Sequence, residues 1–126
     1  MIIKISFLFA AAASALALVL GALGAHGLRG RIEERLFETF QTAVEYQMYH
    51  CLALMMVAIL MRERGRSLAL DIASYAFILG VLLFSGSLYG LVLTNMEWLG
   101  PVTPVGGLCF IVGWSALVCS GFQIID

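Results

Sequence analysis

Four long apolar runs divide the chain, and short polar intervals separate them. The runs are Ile5–Gly24, Phe40–Met61, Leu68–Leu93 and Val102–Ile125. About 20 mostly apolar residues are enough for a helix to cross the hydrocarbon core of a bilayer, and each run meets that length. Together they occupy most of the chain and leave no room for a soluble domain. The pattern predicts an all-α integral membrane protein, a single membrane domain over residues 1–126, with four transmembrane helices in an up-down bundle.

The intervals carry their own patterns. Between the first two runs, Leu28, Ile32, Leu36 and Phe40 recur every fourth position while Arg29, Arg31, Glu33, Glu34, Arg35 and Glu38 take the other faces. That spacing predicts a short interfacial amphipathic helix, at about Leu28–Phe37, lying on the membrane between spans one and two. "RERGR", Arg62–Arg66, is a basic turn with a helix-ending glycine. "TNMEWLGPVTP" joins spans three and four, with Trp98 as an interface anchor and Pro101 and Pro104 bounding the turn and the start of span four.

Composition sharpens the class. Hydrophobic residues make up 62% of the 126 and charged residues only 12%, about half the usual charged share of a soluble domain. Seven basic against eight acidic residues, with no basic stripe, leave no footprint for nucleic acid. The N-terminus mimics a signal peptide, with Lys4, an apolar stretch and "AAASALA". The apolar run continues through Leu16–Leu23 beyond any such cleavage site, which fits a retained span. Its small residues have a different use: Ala10/Ser14, Ala13/Ala17, Ala17/Gly21 and Gly21/Ala25 are small-xxx-small pairs that let helices approach closely in lipid. Cys51, Cys109 and Cys119 show no paired spacing and read as small apolar filler.

Four spans place both termini and the "RERGR" turn on one side, A, and the other two connections on side B. Side A carries Lys4, Arg62, Arg64 and Arg66; side B carries Arg29, Arg31 and Arg35. This excess favours both termini in the cytoplasm.

The unusual stretch is "FQTAVEYQMYH", where a membrane-grade helix holds a carboxylate and an imidazole. At about 100° per residue, Gln41, Thr42, Glu45, Tyr49, Leu52 and Met56 share one face, with Tyr46 and His50 on its shoulder. Phe37, Phe40, Val44, Cys51, Leu54, Met55 and Ala58 cover the other side, and Gln47 is the exception. Ionisable groups in a span normally face the bundle interior or water, so the polar face is expected inside. Depth agrees across helices. His26 near the end of span one, Gln41 and Glu45 at the start of span two, Ser85, Ser87 and Tyr89 late in span three, and Thr103 early in span four all lie in the half nearest side B.

Four stretches, "GALGAHGL", "FQTAVEYQMYH", "LFSGSLY" and "TPVGGL", resemble in order the YgdD-like family of small inner-membrane proteins. This is domain of unknown function 423, which also includes the mitochondrial transmembrane protein 256. The resemblance covers nearly the whole chain and implies a four-helix protein of bacterial inner membranes or mitochondria; it implies no activity. His26, Gln41, Glu45, Tyr46, Tyr49, His50, Ser85, Ser87 and Thr103 match the family's motifs.

The sharper chemical readings are weaker than the plain one. Glu45 and His50 lie five apart, about 140° round a helix, and no H-E-x-x-H or Glu-x-x-His pattern offers a metal two ligands on one face. Haem is not favoured, because His26 and His50 sit at different depths. The chain shows no nucleophile elbow, phosphate-binding glycine loop or Cys–His couple, and the "SGS" of span three reads as helix packing. No cofactor is assigned. A chain of carboxylate, imidazole and tyrosine can pass protons, so proton or small-ligand handling by His26, Glu45 and His50 is the alternative. Against it stand four helices with no internal repeat. The primary expectation is a small structural or assembly subunit in the lipid bilayer, a homo-oligomer or part of a larger membrane complex. The glycines of spans three and four would provide its contact face. Glu45 is expected to be hydrogen-bonded to His26 or to a Tyr or Ser of the side-B cluster.

Overall fold

In a computed structural model, which describes residues 1–125, the chain is built of helices joined by short turns, and there is no strand among the described residues. Four helical stretches, Ile2–Leu28, Glu34–Arg64, Leu68–Thr94 and Glu97–Ile124, are long and apolar enough to cross a membrane. Hydrocarbon offers the backbone no hydrogen-bond partner, so each crossing segment satisfies its own N–H and C=O groups as a helix. Span one is α1 (Ile2–Leu23) followed by a π turn at Gly24–Leu28. Span two is α2 (Glu34–Arg64). Span three comprises α3 (Leu68–Gly80), a π turn at Val81–Ser85 and α4 (Gly86–Thr94). A single 3-10 turn at Glu97–Leu99 leads into α5 (Val102–Ile124), the main part of span four.

The connection between spans one and two differs from the expected interfacial helix. Gly30 takes a φ of +79°, a conformation that glycine adopts without strain. Glu33 is also non-helical, and α2 begins at Glu34. Leu28 therefore closes span one, whereas Leu36 and Phe40 belong to the first turns of span two. Phe37 and Phe40 are buried there, and the Arg29 guanidinium lies 5.4 Å from the centre of the Phe37 ring. The fourfold apolar spacing is helical on both sides of a break that it does not reveal.

On side A the turn is defined by three local devices. Gly65, at φ +89°, ends α2, and its N–H donates to the Met61 carbonyl at 3.0 Å. The Ser67 hydroxyl caps α3 by accepting from the Leu70 N–H at 3.2 Å. Arg66 forks onto Asp71 at 3.0 and 2.7 Å. Hydrogen bonding to that carboxylate raises the Arg66 guanidinium further above its already high usual pKa.

Span one lies along span two, and span three lies along α5, while α2 joins the two pairs through α3, the π turn and α4. Leu54, Val57, Met61, Leu70 and Phe77 form the fully buried centre. Close packing of spans three and four depends on glycine. A Cβ on Gly113 would fall 2.6 Å from the Phe77 ring, one on Gly80 would meet the Phe110 ring, and one on Gly106 would meet the Phe84 backbone at the π turn. The glycines expected to form an outer contact face are thus largely used inside the bundle. Gly86, with nothing within 4 Å of its Cβ position, is an exception.

Backbone cannot move aside as a flexible side chain can. Gly106→Ala is therefore expected to lower stability by about 1–3 kcal/mol, the usual range for overpacking. Gly121→Ala, where a Cβ meets nothing within 4 Å, should be neutral or slightly stabilising. Thermal unfolding of both variants in the same lipid or detergent checks the contrast.

Candidate functional site

The polar groups of the side-B half sort into an inner set and an outer set, and the division is not the expected one. Gln47, the residue that broke the sequence pattern, occupies the centre. It is 3% exposed. Its amide nitrogen donates to the Ala13 carbonyl of α1 at 2.7 Å, and its amide oxygen accepts from the Tyr89 hydroxyl of α4 at 2.6 Å. One side chain thereby ties three spans. It lies on the stripe Phe40, Ala43, Gln47, Cys51, Leu54, Ala58 and Met61, all buried and spaced by three or four.

Two further bonds secure span three. Ser85 donates to the Ala43 carbonyl of α2 at 2.8 Å. Ser87 lies 2.6 Å from the Thr103 hydroxyl of α5, and its own hydroxyl also reaches the Phe84 carbonyl at 2.9 Å. The π turn at Val81–Ser85 accommodates one extra residue per turn, ending on Ser85 and just before Ser87, so span three addresses α2 through Ser85 and α5 through Ser87.

His50 is buried too, at 7% exposure, but among rings and not among the other polar groups. It stacks on Phe110 with centroids 3.5 Å apart and planes at 9°, and Phe77, Trp114 and Tyr46 lie within about 6 Å. Its Nδ1 is 2.7 Å from the Tyr46 carbonyl. A carbonyl only accepts, so Nδ1 carries the proton in that bond. Tyr46, 38% exposed, stacks on Phe84 at 4.8 Å and 16°.

The remaining expected residues lie outside. Gln41, Glu45 and Tyr49 are exposed on one face of α2, and none makes a side-chain hydrogen bond among the described residues. His26 is exposed in the π turn that ends span one, with no bond to Glu45. The expectations that the polar face of span two points inward, and that Glu45 is bonded to His26 or to a Tyr or Ser of the cluster, are therefore corrected. The face is real, but Gln41, Glu45 and Tyr49 point outward, whereas His50 on its shoulder is buried. His26, Glu45 and His50 do not converge, and among the described residues no three His, Cys, Asp or Glu side chains are grouped as a metal ion would require.

Sequence reading missed Gln47 and did not include Tyr89 in the core set. A signal was present: Gln47 is the single strongly polar residue on an otherwise apolar, helically spaced stripe. In lipid, hydrophobicity does not distinguish inside from outside, and a lone hydrogen-bonding group on a packing face serves as interhelical glue.

These features define a four-span integral membrane protein whose interior is packed and cross-bonded. The family profile described as "Protein of unknown function (DUF423)" matches residues 20–107. The chain belongs to this family. It is 43% identical to the UPF0382 membrane protein SH2409 of Staphylococcus haemolyticus over 105 residues, 83% of this chain and 84% of the relative. It is 38% identical to the UPF0382 membrane protein YwdK of Bacillus subtilis over 97% of this chain and 99% of the relative. The UPF0382 membrane protein SAB0533 of Staphylococcus aureus is also 38% identical, over 95% and 97%. No solved structure matches.

Removing Gln47 tests the central tie. Gln47→Leu leaves the part-buried Tyr89 hydroxyl without its acceptor and should destabilise the bundle by roughly 1–3 kcal/mol. Adding Tyr89→Phe should recover part of that loss, because removing both partners costs less than stranding one. A double-mutant cycle of unfolding free energies reads the coupling directly.

Proposed function

We propose that the chain is a small assembly subunit of the bacterial inner (plasma) membrane, a non-catalytic bundle that docks to further membrane subunits. One observation carries this reading. The inner groups Gln47, Tyr89, Ser85, Ser87 and Thr103 are already bonded between helices, whereas Gln41, Glu45 and Tyr49 stand on the outer face with no side-chain hydrogen bond among the described residues. Ionisable residues within spans almost always face protein or a water-filled cavity, because exposing them to lipid costs a few kcal/mol. A single copy leaves Glu45 facing outward, which is the arrangement of a subunit and not of a finished particle. Handling of protons or small ligands by His26, Glu45 and His50 draws no support from their placement on separate faces.

Orientation follows from charge. With four basic residues on side A against three on side B, both termini face the cytoplasm. A C-terminal reporter is expected to be active when it is a cytoplasmic-type reporter; activity only of a reporter that works outside the membrane reverses the assignment.

Purification in native-like lipid tests the main proposal. The expected particle is heavier than one 13.7 kDa chain, whether through further copies or a co-purifying protein. A single-protomer mass with no partner overturns it.

A further inference from the structure

We infer that the side-A end of the α1–α2 contact is a binding site for one anionic phospholipid. Lys4 and Arg62 hold its phosphate, and the apolar groove beneath them takes an acyl chain. This goes beyond the assembly reading and does not depend on it.

The antiparallel arrangement brings the start of α1 beside the end of α2. An open groove of ≈ 580 Å³ lies there, lined on α1 by Lys4, Phe7 and Leu8 and on α2 by Ala58, Ile59 and Arg62. That volume falls within the roughly 300–1,000 Å³ usual for small-molecule sites. Residue order along each helix gives the groove a polar mouth and an apolar depth. Phe7 and Leu8 follow Lys4 by three and four residues, and Ala58 and Ile59 precede Arg62 by four and three. Because the helices run oppositely, both steps lead the same way, about 5 Å farther from side A. Each wall therefore carries a cation near the membrane surface and apolar side chains one turn below it. The long stems of Lys and Arg let both charged ends reach headgroup level.

Charge names the occupant. The two cations come from different helices and line one groove. Among the described residues neither lies within ion-pair distance of a carboxylate, and the side-A ion pair is that of Arg66 with Asp71. Glu63 follows Arg62 in sequence but does not line the groove. Basic pockets between spans bind anionic headgroups, and each Lys or Arg close to the surface adds a preference of roughly fivefold. A zwitterionic lipid brings its own ammonium group to the same mouth and gains less. A free phosphate would satisfy the cations and leave the apolar walls unfilled. A phospholipid satisfies both, because its phosphate and acyl chain are stacked along the membrane normal as the two parts of the groove are.

Lipid titration read by native mass spectrometry tests this, with the full chain in detergent and phosphatidylglycerol or phosphatidylcholine added. Binding in detergent is independent of the orientation in which a variant was inserted, which matters because Lys4 and Arg62 also contribute to the side-A charge excess. One phosphatidylglycerol per chain should be retained in preference to phosphatidylcholine. Lys4→Gln and Arg62→Gln should each weaken that retention roughly fivefold, whereas Lys4→Arg and Arg62→Lys should keep it. Arg64→Gln removes the same charge about 200° round the helix from Arg62 and should leave retention unchanged. All three side chains are exposed, so these variants report on binding and not on folding. Glycerol 3-phosphate in large excess should not displace the lipid. Equal retention of the two lipids, an equal loss with Arg64→Gln, or displacement by glycerol 3-phosphate overturns the inference. So does a heavier particle that retains no phosphatidylglycerol and falls apart when Lys4→Gln and Arg62→Gln are combined, because a protein neighbour then fills the groove. A single chain that retains phosphatidylglycerol as described supports the lipid site and fails the assembly reading alone.

Discussion

The bundle depends on the side chain of Gln47. In hydrocarbon an amide has no solvent to bond with, so it must find protein partners or leave polar atoms stranded. Gln47 finds one on either side, the Ala13 carbonyl of α1 and the Tyr89 hydroxyl of α4. This fixes the rotation of α2 about its own axis, and the rest follows from that rotation. Phe37, Phe40, Ala43, Cys51, Leu54 and Met61 turn inward with it. Gln41, Glu45, Tyr49, Leu52 and Met56 turn outward.

The second pair of spans is held by shape more than by polar bonds. Gly80, Gly106 and Gly113 remove the Cβ atoms that would keep Phe110, the Phe84 backbone and Phe77 at a distance. The aromatic rings that fill the resulting contact also enclose His50 against Phe110. A histidine and a glutamate five residues apart therefore have unrelated environments: one lies among rings at the α2–α5 contact and the other on the far side of the helix. Their proximity in sequence says nothing of shared chemistry once the helix between them is rotated into place.

The outer face of α2 then becomes the feature that the single chain does not explain. Internal hydrogen bonds close the side-B half of the bundle through Gln47, Ser85 and Ser87, each to a neighbouring helix. Glu45, Gln41 and Tyr49 remain in a row beside a groove floored by small residues. Intramembrane carboxyl groups rarely face lipid.

Much of this architecture was legible in the residues. Apolar run lengths are sufficient for four spans because the bilayer demands about 20 apolar residues per helix. The grouping of Gln41, Glu45, Tyr49, Leu52 and Met56 on one face follows from helical periodicity alone. The pairing of Ser87 and Thr103 was foreshadowed by their common depth in adjacent spans. Other features were decided only by tertiary structure. Gly30 broke a periodic stretch that reads as continuous, since a glycine's left-handed φ is a choice made by the turn and not by the residue. The direction of the polar face was also undetermined, because lipid is as apolar as a protein core and gives a helix no hydrophobic reason to turn either side inward. Sequence specified which side chains share a face; packing around Gln47, Gly106 and Gly113 decided where each face points.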